Sequence, residues 1–127
     1  GISQALEWSF SGRVFGAQEA LDGGLVRSLH EPDEMLAAAR SIAADIAQNA
    51  APVSVALTRQ MMWRMLGADH PMRAHSADSR AILERGRSAD TREGVTSFLQ
   101  KRPAVYTDRV STDLPDVFPD WVEPRFE

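Results

Sequence analysis

The residues whose types and spacing could do chemistry lie close to position 100. Phe98 and Lys101 are three apart, so on a helix they share one edge that sets an aromatic face beside an ammonium ion. Of the 14 basic residues, Lys101 is the only lysine and the other 13 are arginines. A compact ammonium where the chain otherwise writes arginine suits a point-charge contact; the alternative is an ordinary cation at a helix end. Other candidates fail on geometry. His70 and His75 are five apart and do not share a helix face as a metal pair would, and His30 falls in a loop. His75, Ser76 and Asp78 have the residue types of a hydrolase triad, but adjacent side chains on one helix point apart and cannot form the relay, so they read as a solvated face. Asp33 and Glu34 are explained by helix polarity. There is no Gly-x-Gly-x-x-Gly, no phosphate-binding loop and no Gly-x-Ser-x-Gly. No catalytic residue, metal ligand or cofactor is expected from these residues.

Residues 88–103 read as one complete helix that positions Phe98 and Lys101. Ser88 caps it, Asp90 and Glu93 place negative charge at its start, and Lys101 and Arg102 place positive charge at its end. Pro103 stops it, while Val95 and Leu99 form its core-facing edge. Earlier in the chain, Ile2, Leu6 and Phe10 mark a helix over 2–10 that Gly12 ends. A short helix over 17–22 follows, with Gly16 at its cap and Glu19 as half of a capping box, before Gly23 and Gly24 break it. Residues 25–29 are expected as a short strand or extended segment. Pro32 suits the first turn of a helix whose stripe of Met35, Ala39, Ile42, Ala43 and Ile46 packs on one side. Residues 52–66 are apolar nearly all round, so part of their burial is expected from another subunit or domain. Residues 69–86 predict a polar surface helix capped by Asp69, with Met72, Ala74, Ala81 and Ile82 on its thin apolar side. Beyond Thr107, prolines and acids predict an extended tail, which Tyr106, Leu114, Phe118, Trp121 and Phe126 hold against a surface.

With 127 residues the chain suits one domain with a core. A hydrophobic fraction of 43% and a charged fraction of 25% are those of a globular protein. The net charge of −4 argues against a nucleic-acid binder, and no apolar run reaches the roughly 20 residues that span a bilayer. Without cysteine or a signal peptide, a reducing cytoplasm is the default. Starting as if inside a helix, the sequence is expected to be a piece of a longer chain.

Two ordered motifs resemble one family. Ser11-Gly-Arg-Val-Phe-Gly-Ala-Gln-Glu-Ala-Leu-Asp-Gly-Gly-Leu-Val26 resembles a signature of the enoyl-CoA hydratase/isomerase (crotonase) family. Ala51-Pro52 opening a helix, and Asp90-x-x-Glu93-Gly-Val-x-x-Phe98-Leu-x-Lys101-Arg102-Pro103, match it further on. The resemblance runs from about residue 2 to 106, departs at Gly16 where the family has Ser or Asp, and covers only the C-terminal part of such proteins. It implies a mainly α region of a crotonase-like α/β fold, with at most one short strand. Residues 1–103 would form the helical part that covers the active site and builds the oligomer, and 104–127 a docked tail. It implies an acyl-CoA enzyme of fatty acid metabolism, foremost a hydratase adding water to an enoyl-CoA, with the CoA thioester as substrate carrier and no further cofactor. Two backbone N–H groups would stabilise the thioester enolate and paired glutamates would move protons, all from outside this chain, which alone would be inactive. Phe98 and Lys101 match the family pair that reaches CoA bound to a neighbouring subunit of a homotrimer or dimer of trimers. Isomerase, decarboxylase or dehalogenase chemistry, or a non-enzymatic helical assembly module, are the alternatives.

Overall fold

The computed structural model describes residues 1–123, 125 and 126. Among them the chain forms seven helices and no strand: α1 (Ile2–Ser11), α2 (Ala17–Asp22), α3 (Met35–Asn49), α4 (Pro52–Met65), α5 (Pro71–Gly86), α6 (Ala89–Gln100) and α7 (Val110–Asp113). Residues 25–29 thus make no ladder; the N–H groups of Leu25 and Val26 instead donate to the carbonyl of Ala20, folding the chain back on α2. Two compact units emerge, residues 1–44 and 45–127.

The first unit is organised by Trp8. Its ring stacks on Phe15 at 4.4 Å, and its Nε1 donates to Glu19 at 2.9 Å. Arg13 joins Glu19 to Glu7, so Glu19 ties α2 to α1 and to the loop between them rather than closing the capping box expected of it. Those bonds hold its carboxyl down at about 2, the Arg13 guanidinium first and the indole N–H second. Gly12 ends α1 in the left-handed region at φ 58, and Gly24 follows α2 at φ 73. Gly23 has negative φ and is needed for space instead, since a Cβ there would come within 2.4 Å of the Trp8 ring. The helix after Pro32 begins only at Met35, the preceding residues forming a turn on the Glu31 carbonyl. The part of its apolar stripe in this unit is not buried, with Met35 60% and Ile42 40% exposed.

In the second unit, α4, α5 and the segment after α7 share a core of Val53, Leu57, Ala81 and Val117, flanked by Met61, Leu114 and Phe118. Residues on the opposite side of α4 stay open, Met62 and Leu66 most of all. Pro71 suits the first position of α5, but His70 caps it, its Nδ1 accepting from the Met72 N–H, while Asp69 pairs with Arg73. The buried side of α5 is the small-residue stripe Ala77 and Ala81, which lets α4 approach; Met72 and Ile82 are exposed, against expectation. Arg64 fastens the tail to α4, its guanidinium lying over Phe118 at 4.6 Å and Trp121 at 4.9 Å while donating to Glu123 at 2.7 Å.

Candidate functional site at the end of α6

Ser88 opens α6 as expected, its Oγ accepting from the Thr91 N–H at 3.1 Å. The helix then divides into a clamped face and an open one. On the clamped face, Asp90 is 2% exposed, and its Oδ1 accepts the N–H groups of Thr107 and Asp108. Arg85 completes that anchor, donating to Asp108 at 2.6 Å with Asp90 at 3.6 Å. One turn on, Glu93 receives both terminal nitrogens of Arg102 at 2.5 and 2.8 Å and the N–H of Val105. The Arg102 guanidinium, and after it the Val105 N–H, hold the Glu93 carboxyl down at about 2. Gly94 lies beneath Tyr106, whose hydroxyl would be 3.6 Å from an added Cβ. Backbone returning after Pro103 therefore covers the face of Asp90, Gly94 and Ser97, and it is anchored mainly by hydrogen bonds.

The edge expected to face the core, Val95 and Leu99, is instead exposed at 57% and 72%. Phe98 stands with it at 70%. The N–H of Arg102 donates to the Ser97 carbonyl and that of Lys101 to the Phe98 carbonyl, the pairing of a Schellman turn. Such a turn needs a left-handed residue just past the helix, a place that favours glycine. Lys101 occupies it at φ 56, the one non-glycine residue with positive φ among those described. From there its Nζ lies 4.2 Å from the centroid of the Phe98 ring. The two candidates are thus brought together as an exposed aromatic–ammonium pair on a closed helix end, able to offer a ring face to a planar group and a point charge to an anionic one.

Sequence reasoning misses the anchors behind the pair. It assigns Asp90, Glu93 and Arg102 to the helix ends, yet each binds the returning chain or holds it in place. The available signal is Pro103, which turns the chain back within reach of the acids three apart on α6. Among the described residues, His75, Ser76 and Asp78 make no hydrogen bond with one another and no group of acids and histidines could hold a metal ion. No helix among them is long and apolar enough to cross a membrane.

Comparison with known proteins converges on one description. The family model for enoyl-CoA hydratase/isomerase matches residues 1–109. An enoyl-CoA hydratase of Alternaria alternata is 37% identical over 109 residues, covering 85% of this chain and 36% of its own length. A short-chain-enoyl-CoA hydratase of Clostridium acetobutylicum is 34% identical over 102 residues, 80% of this chain and 38% of its own. The chain therefore spans little more than a third of these curated relatives. Among solved structures, a probable enoyl-CoA hydratase/isomerase from Mycobacterium abscessus superposes with a TM-score of 0.76 at 32% identity, over 83% of this chain and 43% of that one. A second such protein, from Hyphomonas neptunium, gives a TM-score of 0.61 at 35% identity, over 79% and 37%. With the family model matching residues 1–109 and both solved structures superposing over about four-fifths of it, this chain belongs to the enoyl-CoA hydratase/isomerase family.

Proposed function

We propose that the chain works as the C-terminal part of an enoyl-CoA hydratase, an enzyme that adds water across the double bond of an enoyl-CoA, and that it holds the coenzyme rather than performing the chemistry. The observation that carries this reading is the Phe98–Lys101 pair, a cation 4.2 Å from an exposed ring on a helix end whose geometry favours glycine over lysine. Backbone of that kind is kept where something offsets its cost. The ammonium provides a point charge for a CoA phosphate and the ring a face for adenine, reached across a subunit boundary in a homotrimer. Donors to the enolate oxygen and the acid–base glutamates come from other residues of the enzyme, so the chain alone is inactive.

Hydration of a short enoyl-CoA, followed by loss of the conjugated thioester absorbance, tests this in the whole enzyme. Lys101→Ala is expected to raise KM with kcat little changed, because substrate and transition state lose the same contact. The deficit shrinks as salt screens the charge. An unchanged KM at low ionic strength removes the assignment. The exposed apolar side of α4, with Met62 70% and Leu66 81% exposed, favours as second reading an assembly module without a ligand. That reading is left standing by an unchanged KM.

A further inference from the structure

A cavity of about 620 Å³ opens between the C-terminal end of α4, α5 from Met72 to Arg80, and residues 117–121, within the size range of small-molecule pockets. It shares no residue with the Phe98–Lys101 pair. Aromatic rings of Trp63, Phe118 and Trp121 line part of it, and Arg64, Arg73 and Arg80 supply cations against the carboxylates of Asp69 and Asp120. These cations differ in what they are free to do. Arg64 is committed to the tail, lying over Phe118 and Trp121 and bonded to Glu123. Arg73 gives only its Nε to Asp69, at 2.6 Å, which leaves both terminal nitrogens for another partner. Arg80 makes no ion pair among the described residues and stands seven residues from Arg73, two turns along the same face of α5, with Ser76 between them. Facing them, the Trp63 indole is 67% exposed and uncommitted.

We propose that this cavity binds a small aromatic anion, its ring on Trp63 and its carboxylate or phosphate on Arg73 and Arg80. Neither half of the lining holds a ligand well alone. An inorganic anion would meet two solvent-exposed guanidiniums, a weakly held arrangement in water. A neutral ring would leave the arginine forks unused, although their planar donors match a carboxylate or phosphate. A ligand carrying both parts uses both walls, and the tail acquires a purpose: residues 117–121, fixed by Arg64, form the third side.

Calorimetric titration of the full chain, with tryptophan emission as second readout, tests the assignment at a concentration where sedimentation shows one species. The probes are 2-naphthoate, 2-naphthyl phosphate, the neutral 2-naphthalenemethanol and inorganic phosphate. At least one naphthyl anion is expected to bind tenfold or more tighter than the neutral alcohol, and inorganic phosphate not detectably. Whichever anion binds tighter identifies the headgroup. The exposed substitutions Arg73→Gln and Arg80→Gln together are expected to weaken the anion at least tenfold with the helical circular dichroism unchanged, and Trp63→Ala to weaken it as well. Equal binding of the alcohol and the anions overturns the proposal. So does anion binding that survives the double substitution, or no saturable binding of either anion at millimolar concentration.

Discussion

Replacing Lys101 by glycine and by alanine separates the structural role of this position from its ligand role. Lys101 holds φ 56 at the closing turn of α6, where a non-glycine residue costs about 1 kcal/mol or more. Its ammonium over Phe98 at 4.2 Å returns about 0.5 kcal/mol at an exposed site. Glycine relieves the backbone cost and forfeits the cation–π contact, and its extra freedom in the unfolded chain takes back part of the gain. Lys101→Gly is therefore expected to be as stable as the parent or slightly more so. Alanine keeps the strained backbone and also loses the contact, so Lys101→Ala falls about 1 kcal/mol below the glycine variant. In a chain of this size that gap is about 4 °C in Tm, measurable by thermal circular dichroism. In the enzyme assay the order does not apply, since both variants lack the ammonium. Each raises KM for enoyl-CoA by about tenfold, the lower end of what a hydrogen bond to a charged group contributes at an exposed site, with kcat within about twofold. A glycine variant as unstable as the alanine one would refute the backbone argument. A glycine variant with normal KM would refute the ligand role.

The packing around Trp8 makes Gly23→Ala a sharp test of the first unit. The new Cβ would sit 2.4 Å from the indole, which must leave its stack on Phe15, so a loss of about 1–3 kcal/mol in urea unfolding is expected. For the buried anchor, Asp90→Ala strands the Thr107 and Asp108 N–H groups and weakens the Arg85 cluster; the expected loss is about 3–5 kcal/mol by the same measurement. Glu93 is held at about 2 by Arg102 against a usual 4.5, so the unfolded chain binds its proton first. That contribution is complete above the unfolded value and is lost as pH falls from about 4.5 to about 2, a slope that Glu93→Gln should flatten in acid titration of stability. The uncovered side of α4 predicts association of the isolated chain, because each such side chain left wet forgoes about 1.5–3 kcal/mol. A single monomeric species across micromolar concentrations in sedimentation would contradict it.

Most of the helix content is decided by local chemistry that the sequence displays. Ser88 and its neighbours mark the start of α6, Gly12 the end of α1, and Pro52 the start of α4, because caps, left-handed glycines and proline act within a turn or two of chain. The two-sided character of α4 is equally legible, as eight large apolar residues among the fifteen of 52–66 cannot all face a small core. Which apolar faces are covered within the chain is not, since burial depends on what lies opposite. Val95 and Leu99 have the spacing of a core edge, yet the chain returning after Pro103 binds the other side of α6 through Asp90 and Glu93. Charges pose the same ambiguity: Arg102 and Lys101 are adjacent and alike in sequence, but one is tied to Glu93 and the other turned outward by a left-handed backbone. Only the tertiary structure shows Arg64 as the fastening of the tail, a contact spanning 59 residues to Glu123 that no local pattern encodes. Residue types and periodicity decide what a segment can do alone; a face acquires its partner only when distant segments meet.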